Sequence, residues 1–367
     1  MHIVYIVSED ISVISGVVKK VESKVKYWKQ YGHNVTVISL KSNDTVSLVE
    51  NGIILSQYVK EKNIRKRIFR RLTISEKLNK YLLNNKPDII YTRYIGSSPD
   101  LVHVFKKYAP YIVEINSNDV EETKNGKLSR YILNRLTRDY FLQNASGFVS
   151  VSKELMLEKN FTKFNKDFIT IGNGYNFNDI KNKKSHFNNP PKFIFIGSPN
   201  QIWHGTDKIL ILARKLKNYE FHIVGPTKFE LESHEKLSDN IIAHGYCNTN
   251  YLEKLLLQCD IGISTLALHR NNMKEASPLK SREYLAYGLP IIIGYEDTDL
   301  PKDFEFALNI GNNEDNIVNN IGKIEIFTNL LKNIGPNEVI KNSKQYLDYA
   351  TKEKLRLDFI EKIYKEV

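Results

Sequence analysis

The sequence predicts an α/β protein with two parallel sheets, each covered by helices. Short apolar runs alternate with segments of helical length along the whole chain, and this alternation is typical of parallel strands joined by helical crossovers. The chain has 367 residues, of which 41% are hydrophobic, so two domains with separate cores are the first expectation. A polar segment that ends in a Pro-Pro pair separates two series of apolar runs, so we expect a hinge between two doubly wound domains.

The predicted strands fall into two series. The first series reads HIVYIVS, NVTVISL, DIIYTRY, YIVEIN and GFVSVS, and the second reads KFIFIG, EFHIVG, NIIAHG, DIGISTL and LPIIIG. Between them, NKKSHFNNPPK has the composition of an interdomain linker. The last predicted helix, TKEKLRLDFIEKIYKEV, places Leu355, Phe359 and Ile363 on one face, so we expect that face to pack on another part of the protein.

Composition limits the partners and the compartment. The formal net charge of +11 favours an anionic partner such as a nucleotide, a phospholipid surface or a nucleic acid. A nucleic acid is disfavoured because the chain has no recognisable binding motif and no basic stripe interleaved with aromatic residues. Cys247 and Cys259 match neither a metal knuckle nor a disulfide framework, which fits a reducing compartment. The first apolar run is too short for a signal peptide, and no run reaches the ~18 residues of a spanning helix, so we predict a cytoplasmic protein.

The segment KEASPLKSREYLAYGLPIIIG, Lys274 to Gly294, is the most informative part of the chain. Ser277 and Pro278 predict a helix start, with serine as the N-cap and proline at the first helical position. The helix is expected to end at Gly288. Free backbone N–H groups and the helix dipole make such a start suitable for phosphate oxygens.

Two charged side chains follow Ser277 on the same predicted helix face. Lys280 comes one turn into the helix, where its ammonium group can approach a phosphate, and Glu283 comes one turn deeper, where a carboxylate can accept hydrogen bonds from the hydroxyls of a ribose. Glu275, before the cap, can hold another polyol in the same way. The residues alone leave a second interpretation open, in which Lys280 and Glu283 form an ordinary surface ion pair.

The same segment resembles a known motif. EASPLKSREYLAYGLPII is similar to the motif of two glutamates separated by seven residues in retaining glycosyltransferases of family 4, in the variant with SPLK. Further similar segments are YWKQYGHNVTVISL, FITIGNGYNFN, FIFIGSPNQIWHGTDKIL and CDIGIS. The resemblance implies the GT-B fold, with two Rossmann-like domains facing across a cleft. It assigns residues 1–180 to an acceptor domain, 181–192 to a linker, 193–348 to a donor domain, and 349–367 to a helix that crosses back to the first domain.

The resemblance also implies roles for individual residues. Glu275 would contact the donor sugar, Glu283 the ribose, and Gly16 would lie in a loop of the first domain that meets the diphosphate. Many relatives place Arg and Lys where this chain has Ser198 and His204, so Lys280 would carry more of the phosphate charge. The remaining implied donor contacts are Gly205, Ala276, Ser277, Pro278 and Leu279, with Tyr246 near the base.

The implied activity is transfer of a hexose, with retention of configuration, from a nucleoside-diphosphate sugar, a UDP-sugar first of all. The acceptor would be a hydroxyl of a glycan or of a lipid-linked molecule in the synthesis of a surface polysaccharide or glycolipid. Since the chain has no Asp-x-Asp pair suited to a metal, we expect no metal and no cofactor. The alternative is a non-catalytic GT-B subunit that supports a partner transferase.

Two further segments suggest an acceptor. YIVEINSNDVEE places Glu114, Asn116 and Asp119 at the end of a predicted strand that faces the cleft, where they could contact the acceptor or the donor sugar, or form an ordinary polar loop with a helix cap. The segment from Lys60 to Arg71 predicts a basic helix with the apolar line Ile64, Ile68 and Leu72, and with Phe69 beside it. Such a helix can lie on the anionic inner face of a membrane, which would suit a lipid-linked acceptor. Alternatively, its apolar line faces the sheet of its own domain.

Overall fold

The computed structural model describes the whole chain except residues 14, 59–62, 96–98, 121–127, 181–186, 233–235 and 367. It forms two compact units, Met1–Ile171 with Lys352–Val367, and Gly172–Thr351. Residues 172–180 therefore belong to the second unit, although the sequence-based boundary assigns them to the first. The predicted linker, 181–192, lies partly outside the described residues, at 181–186.

The first unit contains a seven-stranded parallel sheet in the order β3-β2-β1-β4-β5-β6-β7. Its strands are β1 His2–Val7, β2 Asn34–Ser39, β3 Gly52–Ile54, β4 Ile89–Arg93, β5 Tyr111–Ile115, β6 Gly147–Ser150 and β7 Phe168–Thr170. The five runs of the first series are confirmed as β1, β2, β4, β5 and β6. The edge strands β3 and β7, with three residues each, are not among the predicted runs.

Both faces of this sheet are covered. Its helices are α1 Gly16–Gln30, α2 Ile64–Asn85, α3 Pro99–Tyr108, α4 Leu128–Gln143, α5 Lys153–Leu157 and α6 Lys159–Thr162. Ile3 and Tyr5 pack in the cluster that includes α1, whereas Val4 and Ile6 pack in the cluster that includes α2 and α3. Because both faces are buried, β1 reads as a nearly continuous apolar run, as central strands of parallel sheets do.

The second unit contains a six-stranded parallel sheet in the order β10-β9-β8-β11-β13-β15. Its strands are β8 Lys192–Ile196, β9 Glu220–Val224, β10 Ile241–Gly245, β11 Ile261–Ile263, β13 Ile291–Ile293 and β15 Ala307–Asn309. A separate parallel pair is formed by β12 Glu275–Ala276 and β14 Glu296–Asp297. The second series of predicted strands is confirmed as β8, β9, β10, β11 and β13. The chain order reverses between β8 and β11, and their carboxyl ends form the switch point where open α/β sheets bind ligands.

The helices of the second unit cover this sheet. They are α7 Thr206–Lys215, α8 Lys228–Glu232, α9 Thr249–Gln258, α10 Leu279–Ala286, α11 Ile321–Leu331 and α12 Pro336–Leu347. A short 3₁₀ turn, Ile202–His204, precedes α7.

The last helix, α13 Tyr349–Glu366, brings the chain back into the first unit. Phe359 and Ile363 are buried there, as expected, but Leu355 is 48% exposed, so its predicted place on the buried face is wrong. The buried face instead includes the ion pair between Glu353 and Arg356, and Glu353 accepts a hydrogen bond of 2.9 Å from Nε1 of Trp28. Because Glu353 and Arg356 lie on the buried face of α13, the spacing of apolar residues alone predicts the wrong position for that face.

Candidate functional site

The loops that follow β8 and β11 meet at the switch point of the second sheet. The amide of Leu266 donates to the carbonyl of His204 over 3.1 Å, and the amide of Ala267 donates to the carbonyl of Trp203 over 3.1 Å. Gly205 joins the 3₁₀ turn to α7 with φ at 71°, in the region that favours glycine. These contacts fix His204 at the carboxyl end of the sheet.

Lys280 reaches the same place from the first turn of α10. Its Nζ is buried, has no hydrogen-bond partner and lies 4.3 Å from the ring centroid of Phe195, in β8. Burial lowers the pKa of Lys280 to about 7. The surface ion pair with Glu283 that the sequence left open is therefore not formed.

His204 also lies beside Phe195, with its ring centroid 5.6 Å from that of Phe195. Its Nδ1 is also buried without a hydrogen-bond partner. Burial, followed by the nearby Lys280, lowers the pKa of His204 to about 4, although a hydrogen bond of the imidazole with the backbone of Ser198 opposes this shift. Gly197 gives the ring its space, because a Cβ at that position would lie 2.7 Å from Nδ1 of His204.

Lys280 and His204 thus place two buried basic nitrogens beside one aromatic ring. A buried polar group without a partner is costly. The arrangement is suited to a ligand that brings negative charge to the switch point, as a phosphate group would.

The start of α10 differs from the sequence-based expectation. The N-cap is Pro278, with φ −67° and ψ 134°, and the helix begins at Leu279. Ser277 does not cap the helix, because its Oγ accepts a hydrogen bond of 2.6 Å from the amide of Asn173 and its carbonyl accepts one of 2.5 Å from Nδ2 of Asn173. Leu279 is 41% exposed, so the first turn of the helix stays accessible.

The two motif glutamates lie on either side of this helix start. Glu275 is half-buried in β12, whose partner strand β14 begins at Glu296. Glu283 is half-buried on α10, and its Oε1 accepts a hydrogen bond of 3.4 Å from the hydroxyl of Tyr175. Both carboxylates therefore belong to the second unit, together with Lys280 and His204.

A buried arginine that the sequence analysis missed holds α10 in place. Arg282 is fully buried and donates to the carboxylates of Asp297 and Asp299 and to the carbonyl of Asn173. Although burial opposes the charge, the two aspartates raise the pKa of Arg282 above its usual value. The carboxylates of the Asp297-Thr298-Asp299 segment are thus both paired with Arg282. The signal in the sequence was the pair of aspartates two residues apart, which can hold one cation between them.

Other predicted donor contacts lie at the surface of the second unit. Ser198 is exposed, Ala276 is half-buried in β12, and Tyr246 is 92% exposed. Gly16 is in the first unit, where it is the first residue of α1 and not part of the preceding loop. Ser15, just before it, accepts a hydrogen bond of 3.2 Å from the amide of Val18 and so caps α1.

The predicted sugar contacts of the first unit are engaged inside it. Glu114 lies within β5, is 1% exposed, forms ion pairs with Lys20 and Lys24, and accepts a hydrogen bond of 2.7 Å from the hydroxyl of Tyr91. These neighbouring cations hold the pKa of Glu114 well below its usual value, although burial opposes this shift. Glu114 thus lies near the end of a strand, as predicted, but its carboxylate is engaged by protein cations.

Asn116 and Asp119 follow β5 and also have protein partners. Oδ1 of Asn116 accepts a hydrogen bond of 3.2 Å from Lys20. Asp119 is 7% exposed, and its carboxylate accepts hydrogen bonds from Nε of Arg138 and Nδ2 of Asn134. Asp119 thus joins the segment after β5 to α4, and neither residue is carried forward as a sugar contact.

The basic helix of the first unit keeps its apolar line at the surface. Ile68 is 55% exposed, Phe69 is 73% exposed and Leu72 is 56% exposed. The alternative in which Ile68 and Leu72 face their own sheet is therefore wrong. Residues 59–62, with the side chains of Ile64 and Arg67, lie outside what the structure describes.

Within the described residues, no group of three or more His, Cys, Asp or Glu side chains is arranged to hold a metal ion. In the same part of the chain, no helix combines the length and the apolar composition needed to span a bilayer.

A cavity of about 500 Å³ also lies in the second unit, near the carboxyl ends of β13 and β15. Its lining includes His269, Lys274, Glu296 and Asn312, but neither Lys280 nor His204. It is a neighbour of the site on Phe195 and does not coincide with it.

Comparison with solved structures shows which fold this is. Sucrose-phosphate synthase from Thermosynechococcus elongatus superposes with a TM-score of 0.73 at 13% identity, over 100% of both chains. The lipopolysaccharide outer core galactosyltransferase WaaB matches with a TM-score of 0.65 at 12% identity, again over 100% of both chains. The chain has the GT-B fold. Anabaena HepE in complex with UDP and glucose matches this GT-B chain with a TM-score of 0.65 at 11% identity, over 99% of it and 100% of HepE.

The sequence comparison agrees with this GT-B assignment for the second unit. Residues 176–298 match the family model of glycosyl transferases group 1, and this range contains Lys280, His204 and both motif glutamates. No curated protein matches the chain in sequence. The family match and the fold together support a glycosyltransferase that uses a nucleotide sugar.

Proposed function

We propose that the protein is a retaining glycosyltransferase of the family 4 type. It transfers a hexose from a nucleoside-diphosphate sugar, a UDP-sugar first of all, to a hydroxyl of a glycan or lipid-linked acceptor. The observation that carries the proposal is the pair of buried basic nitrogens on Lys280 and His204, which have no hydrogen-bond partner and lie at the switch point of the second sheet. The family match over residues 176–298 supports the same assignment.

In this proposal the diphosphate lies across the first turn of α10. Lys280 supplies positive charge, and the N–H groups and dipole of the helix start add to it. Glu283, deeper on the same helix, accepts hydrogen bonds from the ribose hydroxyls. Glu275 accepts hydrogen bonds from the hydroxyls of the transferred sugar.

The chemistry needs charge stabilisation more than a protein nucleophile. As the bond between sugar and phosphate breaks, the diphosphate gains negative charge and the sugar becomes oxocarbenium-like. The acceptor hydroxyl attacks from the same face, and its proton passes to the departing phosphate oxygen. A preorganised ammonium group beside that oxygen lowers the barrier, because its interaction strengthens as the charge develops.

The test has a binding stage and a turnover stage. Thermal shift against nucleoside diphosphates and their sugars should give clear stabilisation by one nucleotide family, since a ligand at one hundred times its Kd adds about 2.7 kcal/mol. With the sugar so identified, Lys280→Ala should lower kcat about a hundredfold, the scale of losing one preorganised donor. Lys302→Ala is the matched control because Lys302 is well exposed.

The outcomes separate the candidate functions. Stabilisation by no nucleotide contradicts the assignment of the site. Binding of a nucleotide sugar without transfer to any acceptor supports the non-catalytic subunit instead. Unchanged turnover in Lys280→Ala removes this residue from the mechanism.

The exposed part of α2 supports a lipid-linked acceptor. Ile68, Phe69 and Leu72 lie among Arg65, Lys66 and Arg70, on a helix whose N-terminal end lies at the carboxyl edge of a parallel sheet. Apolar side chains flanked by cations suit the interface of an anionic bilayer. We therefore place the enzyme in the cytoplasm, at the inner face of the membrane, during its work on the acceptor.

A further inference from the structure

The second unit contains a lysine whose amine has been separated from water and from every hydrogen-bond acceptor of the described residues. Nζ of Lys280 is buried over the ring of Phe195. An ammonium group in such a place loses its hydration and gains only the modest attraction of an aromatic face. The neutral amine is therefore favoured as long as the site is empty.

The groups around Lys280 do not stabilise the protonated form of its amine. His204, on the 3₁₀ turn, is a second base, and its own buried Nδ1 has no hydrogen-bond partner. Tyr284, on α10, accepts a hydrogen bond of 2.7 Å from the amide of Ile196, and burial raises the pKa of its hydroxyl well above the usual value. Glu283, also on α10, is near the hydroxyl of Tyr175. For Lys280 burial is the cause of the lowered pKa, with no opposing carboxylate.

A bound diphosphate would make the protonated form of Lys280 more favourable than the neutral amine. It brings at least two negative charges to the end of α10, and an opposite charge within about 4–6 Å favours the protonated form of an amine. By linkage, a ligand that prefers the protonated amine must increase proton binding when it binds.

We propose that the empty site holds Lys280 largely as the neutral amine above neutral pH, and that binding of a nucleoside diphosphate draws a proton from solvent onto its Nζ. This inference rests on the proposed function, since it assigns the diphosphate to this site. No bond other than the new N–H bond is made, and the proton comes from water or buffer. Release of the diphosphate product returns the proton.

One consequence is a steep dependence of affinity on pH. Burial lowers the pKa of Lys280 to about 7. Above that pH, the fraction of empty sites with a protonated Lys280 falls about tenfold for each pH unit, and the ligand binds this protonated form. The affinity should therefore fall nearly tenfold per pH unit between pH 7.5 and pH 9. The phosphate of UDP contributes little to this change, because its last ionisation lies near pH 6.

The experiment is titration calorimetry of the full chain with UDP in buffers of different ionisation enthalpy. At pH 8 the wild-type protein should take up more than half a proton for each UDP bound. Lys280→Arg is the matched variant, because its guanidinium group stays charged throughout this range. It should take up almost no proton, and its Kd should change less than about threefold between pH 7.5 and pH 9.

The results distinguish this inference from the proposed function. UDP binding to the wild type without proton uptake, and with the same Kd at pH 7.5 and pH 9, overturns the inference and leaves the nucleotide site intact. Equal proton uptake by Lys280→Arg also overturns it, because the proton then goes elsewhere. Failure of UDP and other nucleoside diphosphates to bind the folded wild type contradicts the proposed function itself. Circular dichroism at both pH values shows that the proteins are folded.

Discussion

Lys280 lowers the stability of the empty protein, and in the proposed function the same residue binds the diphosphate. Its Nζ is buried without a hydrogen-bond partner, and burial lowers its pKa to about 7 from the usual 10.5. The unfolded chain therefore binds more protons than the folded chain between these two values, so this residue makes the free energy of unfolding rise with pH there. Below pH 7 the buried amine is charged in both states, so the free energy by which Lys280 destabilises the fold is largest there and does not change with pH.

Lys280→Met should accordingly stabilise the empty protein. The apolar side chain keeps the contact with Phe195 and removes the cost of the amine, so we expect a gain of at least about 1 kcal/mol at pH 7, given about 1.36 kcal/mol per unit of pKa shift. Urea denaturation at pH 7 and pH 10 measures it, and the gain should shrink at the higher pH. A variant less stable than wild type at pH 7 would show that the buried amine does not destabilise the folded protein. The variant should also lose UDP binding.

At the scale of single elements, α2 combines charge and exposed apolar surface in its first turns. Ile68, Phe69 and Leu72 are more than half exposed, and Arg65 and Lys66 are exposed beside them. Each cation near an anionic surface contributes about 1 kcal/mol, which falls as salt screens it. The face thus combines the two kinds of attraction that reversible membrane binding needs.

Replacing Phe69 and Leu72 together by Ser should weaken binding to vesicles that contain anionic lipid at least tenfold, because both apolar contacts are lost. Co-sedimentation with vesicles of increasing anionic fraction measures it. Ile326→Ser with Leu330→Ser on α11 is the matched control, since these apolar side chains are 62% and 66% exposed. Wild-type binding that does not rise with the anionic lipid fraction, or does not fall with salt, would contradict the membrane contact. An equal loss of vesicle binding in the control variant would contradict it as well.

At the scale of the whole molecule, the two units differ in how the chain builds them. The second unit is one continuous segment, Gly172–Thr351, whereas the first needs Met1–Ile171 and Lys352–Val367. In the first unit, α13 contributes the buried Leu357, Ile360 and Ile363. Arg356 also donates a hydrogen bond of 3.1 Å to the hydroxyl of Tyr91.

A fragment of residues 172–351 should therefore fold alone and bind UDP, because it contains the core of the second unit together with Lys280, His204, Glu275 and Glu283. A fragment of residues 1–171 should fail to fold cooperatively, because it loses the apolar face of α13 and leaves the buried Trp28 without Glu353. Thermal melting followed by circular dichroism, with and without UDP, tests both. A folded 172–351 fragment that does not bind UDP would contradict the placement of the donor site in this unit.

Local sequence was enough to predict the central strands and the helix start of α10. Central strands such as β1 and β8 are recognisable because both of their faces are buried, and their apolar runs depend on local sequence alone. Ser277 and Pro278 also indicated a helix start between two strands, which the structure confirms within one or two residues. The strands β3 and β15 were missed, and unlike the equally short β11 and β13 they are not fully buried.

The environment of the charged residues depends on long-range packing, which local sequence does not reveal. Glu114 and Asp119 are held by Lys24 and Arg138, residues far along the chain from them, and local pattern cannot show such pairing. The same holds for Ser277, which is held by Asn173 instead of capping α10. Burial and pairing depend on which distant segments pack together, and therefore whether Lys280 is a solvated surface cation or a buried unpaired amine could be decided only by the fold.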